Sequence, residues 1–211
     1  MTGVVTGRTL ADAAPGSGPD ATDEGETVGE QKKRMLAGEW YLPDDPELAA
    51  ESLRRAELCA AYEAVAPADA ARREEILREL LGSVGEGVRV RAPFRCDFGY
   101  NITIGSGTFV NFGAVFLDTG RITIGADVQI GPNVQVLTPV HEMDPARRRE
   151  GWEKGVPVTI GDNVWLGGGV IVCPGVTIGA DTVVGAGSVV TRDLPPRVLA
   201  VGNPARVVRS L

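Results

Sequence analysis

The single histidine of this sequence, His141, is its clearest candidate for chemistry. It opens the polar stretch HEMDPARRREGWEKG, which interrupts a chain that is regular and apolar on either side. Histidine is the side chain best suited to accept a proton near neutral pH, so His141 is a candidate general base. The alternative, a solvated imidazole on a loop, stays open at this point. One histidine cannot supply a zinc site built from three histidine ligands, and no metal is expected.

The segments that must position His141 follow a repeat of six residues. From Leu166 onward, a small or β-branched residue stands two positions before each repeated aliphatic residue. A period of six fits neither an amphipathic helix nor a long strand, whose periods are about 3.6 and 2. It is typical of a parallel β-helix, in which three short faces form one coil and stacked coils share a core. The repeat is clearest at Ile160, Leu166, Val172, Ile178, Val184 and Val190.

The repeat also covers the chain before His141. It begins at Val84 and stops after Val136, with one slip of two residues. Residues 137–157 form an insertion that is too long for a turn, and the repeat resumes at Val158. Long insertions in compact repeat arrays are usually functional or disordered, so this is the place to look for a site. Between Val84 and Val136, the repeated apolar residues are Val90, Ile104, Val110, Phe116 and Ile122 before the slip, and Ile124 and Ile130 after it.

The chain before the repeat divides into two parts of different composition. Its first part is rich in Gly, Ala, Asp, Thr and Pro, and we predict disorder because it cannot bury enough apolar surface. The second part predicts two helices, one beginning near Asp45 or Pro46 and one running from Asp69 to Gly82. This helical hairpin would cover an end or edge of the solenoid. The predicted segments are 1–31, disordered; 32–83, helical; and 84–211, a mainly β domain with the inserted loop 137–157.

Composition excludes several classes of function. The net charge is −7, and an acidic chain binds nucleic acid poorly because phosphate contacts need clustered Lys and Arg. There is no run of about 18 apolar residues and no signal-peptide layout, so we expect a cytoplasmic protein without a membrane partner. The three cysteines, Cys59, Cys96 and Cys173, are scattered and are expected to be reduced thiols.

A series of motifs occurs in order between Lys32 and Leu211. They are MLAGEWY, FRCDFGYNITIG, NFGAVFLD, a histidine followed 16 residues later by the proline of PVTIG, NVWLGGGVIVCPGVTIG, GAGSVVTRDLPP and GNPARVV. With them the sequence resembles the maltose and galactoside O-acetyltransferases of the hexapeptide-repeat acyltransferase superfamily. The resemblance implies a left-handed parallel β-helix, a homotrimer, and acetyl-CoA bound in a groove between neighbouring subunits. The left hand departs from the usual right-handed crossover and comes from the resemblance alone.

The resemblance also assigns catalytic and acceptor-binding residues. His141 matches the catalytic histidine, which would take the proton from a sugar hydroxyl while that oxygen attacks the thioester carbonyl. Asn111 matches an acceptor-contacting asparagine, and Asp97 and Asp118 occupy positions of acceptor-hydroxyl ligands. Structural alternatives exist, because Asn111 tolerates a left-handed turn and Asp118 can cap one. Galactoside-type relatives carry a different acid pattern where this chain has Thr119, which favours a maltose-like acceptor.

The predicted cofactor site lies in the second half of the chain. Trp165 precedes the inward Leu166 and therefore points outward, next to a run of glycines whose bare backbone lets a ligand approach closely. Packing of Trp165 against a neighbouring subunit or against the inserted loop is the alternative. Guanidinium groups pair well with the phosphates of CoA. The resemblance places near CoA the residues Gly168, Ala186, Thr191, Arg192 and Arg206.

Three classes of function fit the sequence. The first is a sugar O-acetyltransferase, and the second is an acetyltransferase for another small acceptor such as an antibiotic, serine or an amino sugar, because the fold does not fix the acceptor. The third is a non-catalytic trimeric scaffold. The third class does not explain a candidate general base, His141, in an insertion of the repeat. The set of Asp97, Asn111 and Asp118 separates the first two only weakly.

Overall fold

The computed structural model describes residues 29–211, and its first element is a helix that the sequence analysis missed. Disorder was predicted for residues 1–31, and this is wrong for residues 29–31; residues 1–28 lie outside the described residues. Tertiary contacts order these residues, because Gln31 is buried and its side-chain oxygen accepts a hydrogen bond from the Leu42 N–H at 2.6 Å. The helices are α1 (Glu30–Ala37), α2 (Pro46–Ala64), α3 (Ala70–Leu80) and α4 (Pro145–Arg149).

Helices α2 and α3 form the predicted hairpin, which covers the first coil of the solenoid. Asp45 caps α2 by accepting hydrogen bonds from the N–H groups of Glu47 and Leu48, with Pro46 in the first helical position. The apolar face of the hairpin is continuous with the solenoid core. The buried residues in this contact are Cys59, Tyr62, Ile76, Leu77 and Leu80 from the helices, and Val84, Val90 and Phe94 from the first coil.

The solenoid consists of three parallel sheets whose strands follow one another around each coil, which confirms the predicted β-helix. The first sheet contains β1 (Ser83–Val84), β4 (Ile102–Ile104), β7 (Ile122–Ile124), β12 (Val158–Ile160) and β15 (Thr177–Ile178). The second contains β2 (Arg89–Val90), β5 (Phe109–Val110), β8 (Gln129–Ile130), β13 (Trp165–Leu166), β16 (Val183–Val184), β18 (Val198–Val201) and the antiparallel β19 (Arg206–Ser210). The third contains β3 (Phe94–Cys96), β6 (Ala114–Leu117), β9 (Gln135–Leu137), β14 (Ile171–Val172) and β17 (Val189–Val190).

The repeated aliphatic residues form the core, because equivalent positions of successive coils stack in register. Val110 pairs with Ile130, which pairs with Leu166, and all three are at most 1% exposed. The third and first sheets meet at an edge where the connections lengthen, and the slip of two residues falls there. We call this the hairpin edge; it comprises residues 97–101, 118–121, 138–157, 173–176 and 191–193. The groove edge, between the second and third sheets, comprises residues 91–93, 111–113, 131–134, 167–170 and 185–188.

The insertion at the hairpin edge has secondary structure of its own. Strands β10 (Pro139–His141) and β11 (Glu153–Gly155) pair antiparallel, and α4 lies between them. The short helix is capped by the Asp144 carboxylate, which accepts hydrogen bonds from two N–H groups. The predicted loop is therefore a β-hairpin that projects from the solenoid. In the described part of the chain, no helix has the length and apolar character needed to cross a membrane.

Candidate active site

His141 lies at the end of β10, where its backbone is held and its side chain is exposed. Its partner across the hairpin is Glu153. Glu153 is held on its other side by Tyr41, because the Tyr41 N–H donates to the Glu153 carbonyl oxygen at 2.9 Å and the Glu153 N–H donates to the Tyr41 carbonyl oxygen at 3.0 Å. The segment before α2 therefore adds a third row to the hairpin and fixes the position of His141.

The side chains of Tyr41, Glu153 and His141 form a polar series that ends in solvent. Burial raises the pKa of Glu153, while the positive charge of His141 and the hydrogen bond with the Tyr41 hydroxyl lower it. Tyr41 is 1% exposed, and burial together with the charges of Glu153 and Asp97 raises its pKa, so its hydroxyl keeps its proton. A base oriented by a second, acidic group is the arrangement that proton abstraction needs. The charge of Glu153 can stabilise the charged form of the imidazole.

Asp97 lies on the same edge, directly after β3. Burial raises its pKa to about 7, the charges of Asp118 and Glu153 add to this rise, and the Arg55 guanidinium opposes it. The Arg55 Nε also donates a hydrogen bond to the Asp97 carbonyl oxygen at 3.1 Å. Asp97 and His141 both follow strands of the third sheet and lie on the hairpin edge. The structure thus brings two of the predicted site residues, Asp97 and His141, to one edge.

The raised pKa of Asp97 gives a testable dependence of stability on pH. The native state keeps a proton on Asp97 that the unfolded chain loses above about pH 4, so the free energy of unfolding falls between pH 4 and about 7. We expect Asp97→Asn to remove this fall. The free energy of unfolding of the variant minus that of the wild type should rise by about 1–3 kcal/mol from pH 4 to pH 8. This is less than the full pKa shift of Asp97 corresponds to, because the side chain is partly exposed.

Urea unfolding at pH 4 and pH 8, at one protein concentration, measures this difference. Comparison of the two proteins at each pH cancels the titration of all other groups. An equal difference in the free energy of unfolding at both pH values would show that Asp97 titrates normally.

Asp118 was expected to bind an acceptor hydroxyl, and in the structure its carboxylate is bound by the chain itself. The side chain is fully buried, and its two carboxylate oxygens accept four hydrogen bonds from backbone N–H groups. The Asp118 carbonyl oxygen also accepts a bond from the Asn101 side-chain amide at 2.8 Å. The turn-capping alternative therefore holds, and Asp118 is a positioning residue that fixes the connection carrying Asp97. The donors are the N–H groups of Asp97 (2.9 Å), Phe98 (2.9 Å), Gly99 (2.7 Å) and Asn101 (3.3 Å).

A second concentration of predicted residues lines a groove of about 480 Å³ on the outer face of the second sheet. Trp165 points outward from β13 and is 56% exposed, as expected. At Gly168, a Cβ atom would come within 3.3 Å of the Pro132 ring, so glycine keeps the groove wide at this point. The lining residues include Phe109, Asn111, Gln129, Pro132, Trp165, Gly168 and Ala186.

Asn111 begins the groove edge after β5. Its side-chain oxygen accepts a hydrogen bond from the Phe112 N–H at 2.9 Å, and its backbone is not in the left-handed region, so the left-handed turn that the sequence allowed as an alternative is not found at this position. Among the described residues, the side-chain N–H₂ group of Asn111 has no partner. Asn111 can therefore accept the bond from Phe112 and donate a hydrogen bond into the groove at the same time.

The remaining predicted cofactor residues divide between the two regions. Thr191 and Arg192 follow β17 and lie on the hairpin edge, the edge of His141. Arg206 begins β19, at the end of the second sheet farthest from the helices. One region therefore carries Asp97, His141, Thr191 and Arg192, and the other carries Asn111, Trp165, Gly168, Ala186 and Arg206.

The two regions are too far apart in one chain to act on the same atom. The third sheet separates the groove edge from the hairpin edge, and one face of six residues spans about 15–20 Å. Within a single chain, His141 consequently does not face Asn111. A reacting centre must lie about 3 Å from its base, so one chain alone does not complete the site.

Sequence reasoning missed Tyr41 and Glu153. Tyr41 lies in the motif MLAGEWY, which was noted without a role. Glu153 is one of several acids in the insertion, and no local feature distinguishes it from Glu142 or Glu150. The signal is the antiparallel register that sets Glu153 opposite His141, and this appears only in the folded chain.

Known proteins match the chain over most of its length. Residues 34–85 match the maltose acetyltransferase hexapeptide capping motif, and residues 157–192 match the bacterial transferase hexapeptide model with six repeats. Nodulation protein L of Rhizobium meliloti (strain 1021) is 49% identical over 177 residues, which cover 84% of this chain and 97% of that protein.

Solved structures agree with these matches. A maltose O-acetyltransferase from Clostridium difficile 630 is 45% identical with a TM-score of 0.85, covering 88% of this chain and 99% of that one. A hexapeptide-repeat acetyltransferase from Vibrio cholerae O1 biovar eltor, in complex with acetyl coenzyme A, is 41% identical with a TM-score of 0.80, covering 86% and 98%. The resemblance inferred from the motifs is confirmed: this chain belongs to the maltose and galactoside O-acetyltransferase family of the hexapeptide-repeat acyltransferases.

Proposed function

We propose that this protein transfers the acetyl group of acetyl-CoA to a hydroxyl group of a sugar, with His141 as the general base. The observation that carries the proposal is the position of the exposed His141 directly across the β-hairpin from the half-buried Glu153. A scaffold without chemistry has no use for such a pair. The name of the similar Clostridium difficile protein supports maltose as a first acceptor to test, and the bound ligand of the Vibrio cholerae protein supports acetyl-CoA as the donor.

The proposed reaction is a direct transfer. The acceptor hydroxyl gives its proton to the His141 imidazole while the hydroxyl oxygen attacks the thioester carbonyl carbon. The tetrahedral intermediate collapses, the carbon–sulfur bond breaks, and the imidazolium returns the proton to the CoA sulfur. Glu153 stabilises the imidazolium between these two steps, and Asp97 accepts a hydrogen bond from a second hydroxyl group of the sugar.

We propose a homotrimer in which each active site uses two subunits. The hairpin edge of one subunit would supply His141 and Asp97, and the groove of its neighbour would supply Asn111 and Trp165. The separation of these residues by a whole face of the solenoid in one chain supports this arrangement. The cyclic assembly repeats the same contact three times.

The cofactor would lie along the same boundary. Gly168 and Ala186 would contact the pantetheine arm in the groove, while Thr191 and Arg192 of one subunit and Arg206 of its neighbour would bind the phosphates of CoA. The free thiols of Cys59, Cys96 and Cys173 suit a reducing compartment, which supports a cytoplasmic enzyme.

A thiol-release assay tests the proposed function. Purified protein is mixed with acetyl-CoA and, one at a time, glucose, maltose, a galactoside, serine and chloramphenicol. We expect thiol release with a sugar and an acetyl ester of that sugar by mass spectrometry. Thiol release only with serine or chloramphenicol would show that the acceptor is not a sugar. No release with any acceptor would contradict the proposal that the protein is an acetyltransferase.

A further inference from the structure

Two arginines lie at the end of the second sheet nearest the helices. Arg89 belongs to β2 and is in register with Phe109 of the next coil. Arg91 follows two residues later. Their guanidinium carbons lie 5.7 Å and 5.4 Å from the centre of the Phe109 ring. Both side chains therefore stack on one aromatic ring, which restricts their motion and leaves their N–H edges available.

Within the described part of the chain, neither guanidinium has an ion pair or a side-chain hydrogen bond, and both residues are exposed. This is unlike the other arginines near the helices. Arg54 pairs with Glu79, Arg72 with Glu75, Arg78 with Glu74 and Arg95 with Glu63. In a chain whose net charge is −7, Arg89 and Arg91 form a local positive patch with no internal partner.

The patch adjoins the proposed acceptor side of the groove. Phe109, on which both arginines stack, lines the groove together with Asn111. The Arg91 N–H donates to the Val110 carbonyl oxygen at 2.9 Å, so Arg91 lies one strand spacing, about 4.8 Å, from Asn111. Trp165 lies three strands from Arg89 in the same direction as Asn111, about 14 Å away. The arginines are thus beyond Asn111, at the opposite end from Arg206.

We propose that Arg89 and Arg91 form an anion subsite for the acceptor. The substrate class is a saccharide that carries a phosphate or a carboxylate about one sugar ring away from the hydroxyl that is acetylated. Two guanidinium groups on one ring can bind such a group with paired hydrogen bonds. This inference rests on the proposed function, because Asn111 defines the acceptor end of the groove only if the protein is an acetyltransferase.

Matched pairs of acceptors test the subsite. Methyl glucoside is compared with glucose 1-phosphate, and maltitol with maltobionate, so that the members of each pair differ in one group, which is neutral in the first member and anionic in the second. We expect the wild type to prefer the anionic member of a pair about tenfold in kcat/KM. The preference should decrease at high salt because both arginines are exposed. The first pair tests a phosphate and the second a carboxylate.

The variant Arg89→Gln/Arg91→Gln should bring the preference ratio close to one. Its matched control, Arg54→Gln/Arg72→Gln, removes the same charge from exposed positions on α2 and α3 and should keep both the ratio and the rates. Equal use of neutral and anionic acceptors by the wild type would overturn the subsite. A preference that survives in the Arg89/Arg91 variant would overturn it as well.

Binding without turnover separates this inference from the proposed function. Calorimetry measures the binding of glucose 1-phosphate in the absence of acetyl-CoA. If no acceptor is acetylated but the wild type binds glucose 1-phosphate and the Arg89/Arg91 variant does not, the subsite stands and the proposed function fails. If sugars are acetylated without any anionic preference, the proposed function stands and the subsite fails.

Discussion

Replacement of His141 by alanine is expected to lower kcat about 100- to 10,000-fold, the range that a positioned general base contributes. No other histidine exists in the chain to replace it. The side chain is exposed at the end of β10, so its removal leaves no cavity and the fold should persist. KM for acetyl-CoA should change little, because the imidazole acts on the acceptor proton.

Steady-state thiol release with acetyl-CoA and a saturating sugar measures this effect. Arg149→Ala is the matched control, because Arg149 is an exposed residue of the same insertion and has no partner among the described residues. Glu153→Gln should give a smaller loss of kcat, since the base remains and only the stabilisation of its charged form is lost. A His141→Ala enzyme with nearly wild-type kcat would show that another group accepts the proton.

The solenoid was predictable because the residues of its six-residue repeat are the residues that the fold buries. Residues such as Val110, Phe116 and Val172 are fully buried, and each occupies a position that the six-residue period assigned to the core. Every coil must bury the same inward positions, so one pattern of small and apolar residues recurs whatever the surroundings. The helix boundaries at Asp45 and Asp69 were also predictable, because N-capping is a local interaction.

The parts that the sequence could not predict depend on long-range contacts. Gln31 is polar and close to the chain start, and only its bond to Leu42 shows that it is ordered and buried. The four backbone donors that surround Asp118 come together only in the folded chain, so the sequence alone does not separate turn capping from an acceptor contact. Glu153 acquires its position from the register of a hairpin, which no spacing rule in the sequence specifies.

The separation of His141 from Asn111 has a simple geometric reason. Asn111 follows β5 of the second sheet, and His141 lies in the insertion that follows β9 of the third sheet. The six-residue period gives the length of each face. The edge on which a residue lies depends on its phase around the coil, which is known only once the strands are assigned to sheets.

A mixture of two inactive variants should therefore regain activity. His141→Ala destroys the base on the hairpin edge, and Asn111→Ala destroys the donor in the groove. In a cyclic trimer with sites between subunits, a site is intact when an Asn111→Ala subunit supplies His141 and a His141→Ala subunit supplies Asn111. Random assembly of equal amounts gives this combination in about one quarter of the sites.

The most direct test of the account is the activity of such mixed trimers. The two variants are produced together with different tags, and trimers carrying both tags are purified and confirmed by native mass spectrometry. Wild-type protein mixed with His141→Ala in the same way controls for assembly. We predict that the purified mixed trimers, each with one intact site of three, show about one third of the wild-type kcat, that the unselected mixture shows about one quarter, and that each variant alone shows almost none. Mixed trimers that form but stay inactive would contradict a site shared between His141 of one subunit and Asn111 of its neighbour.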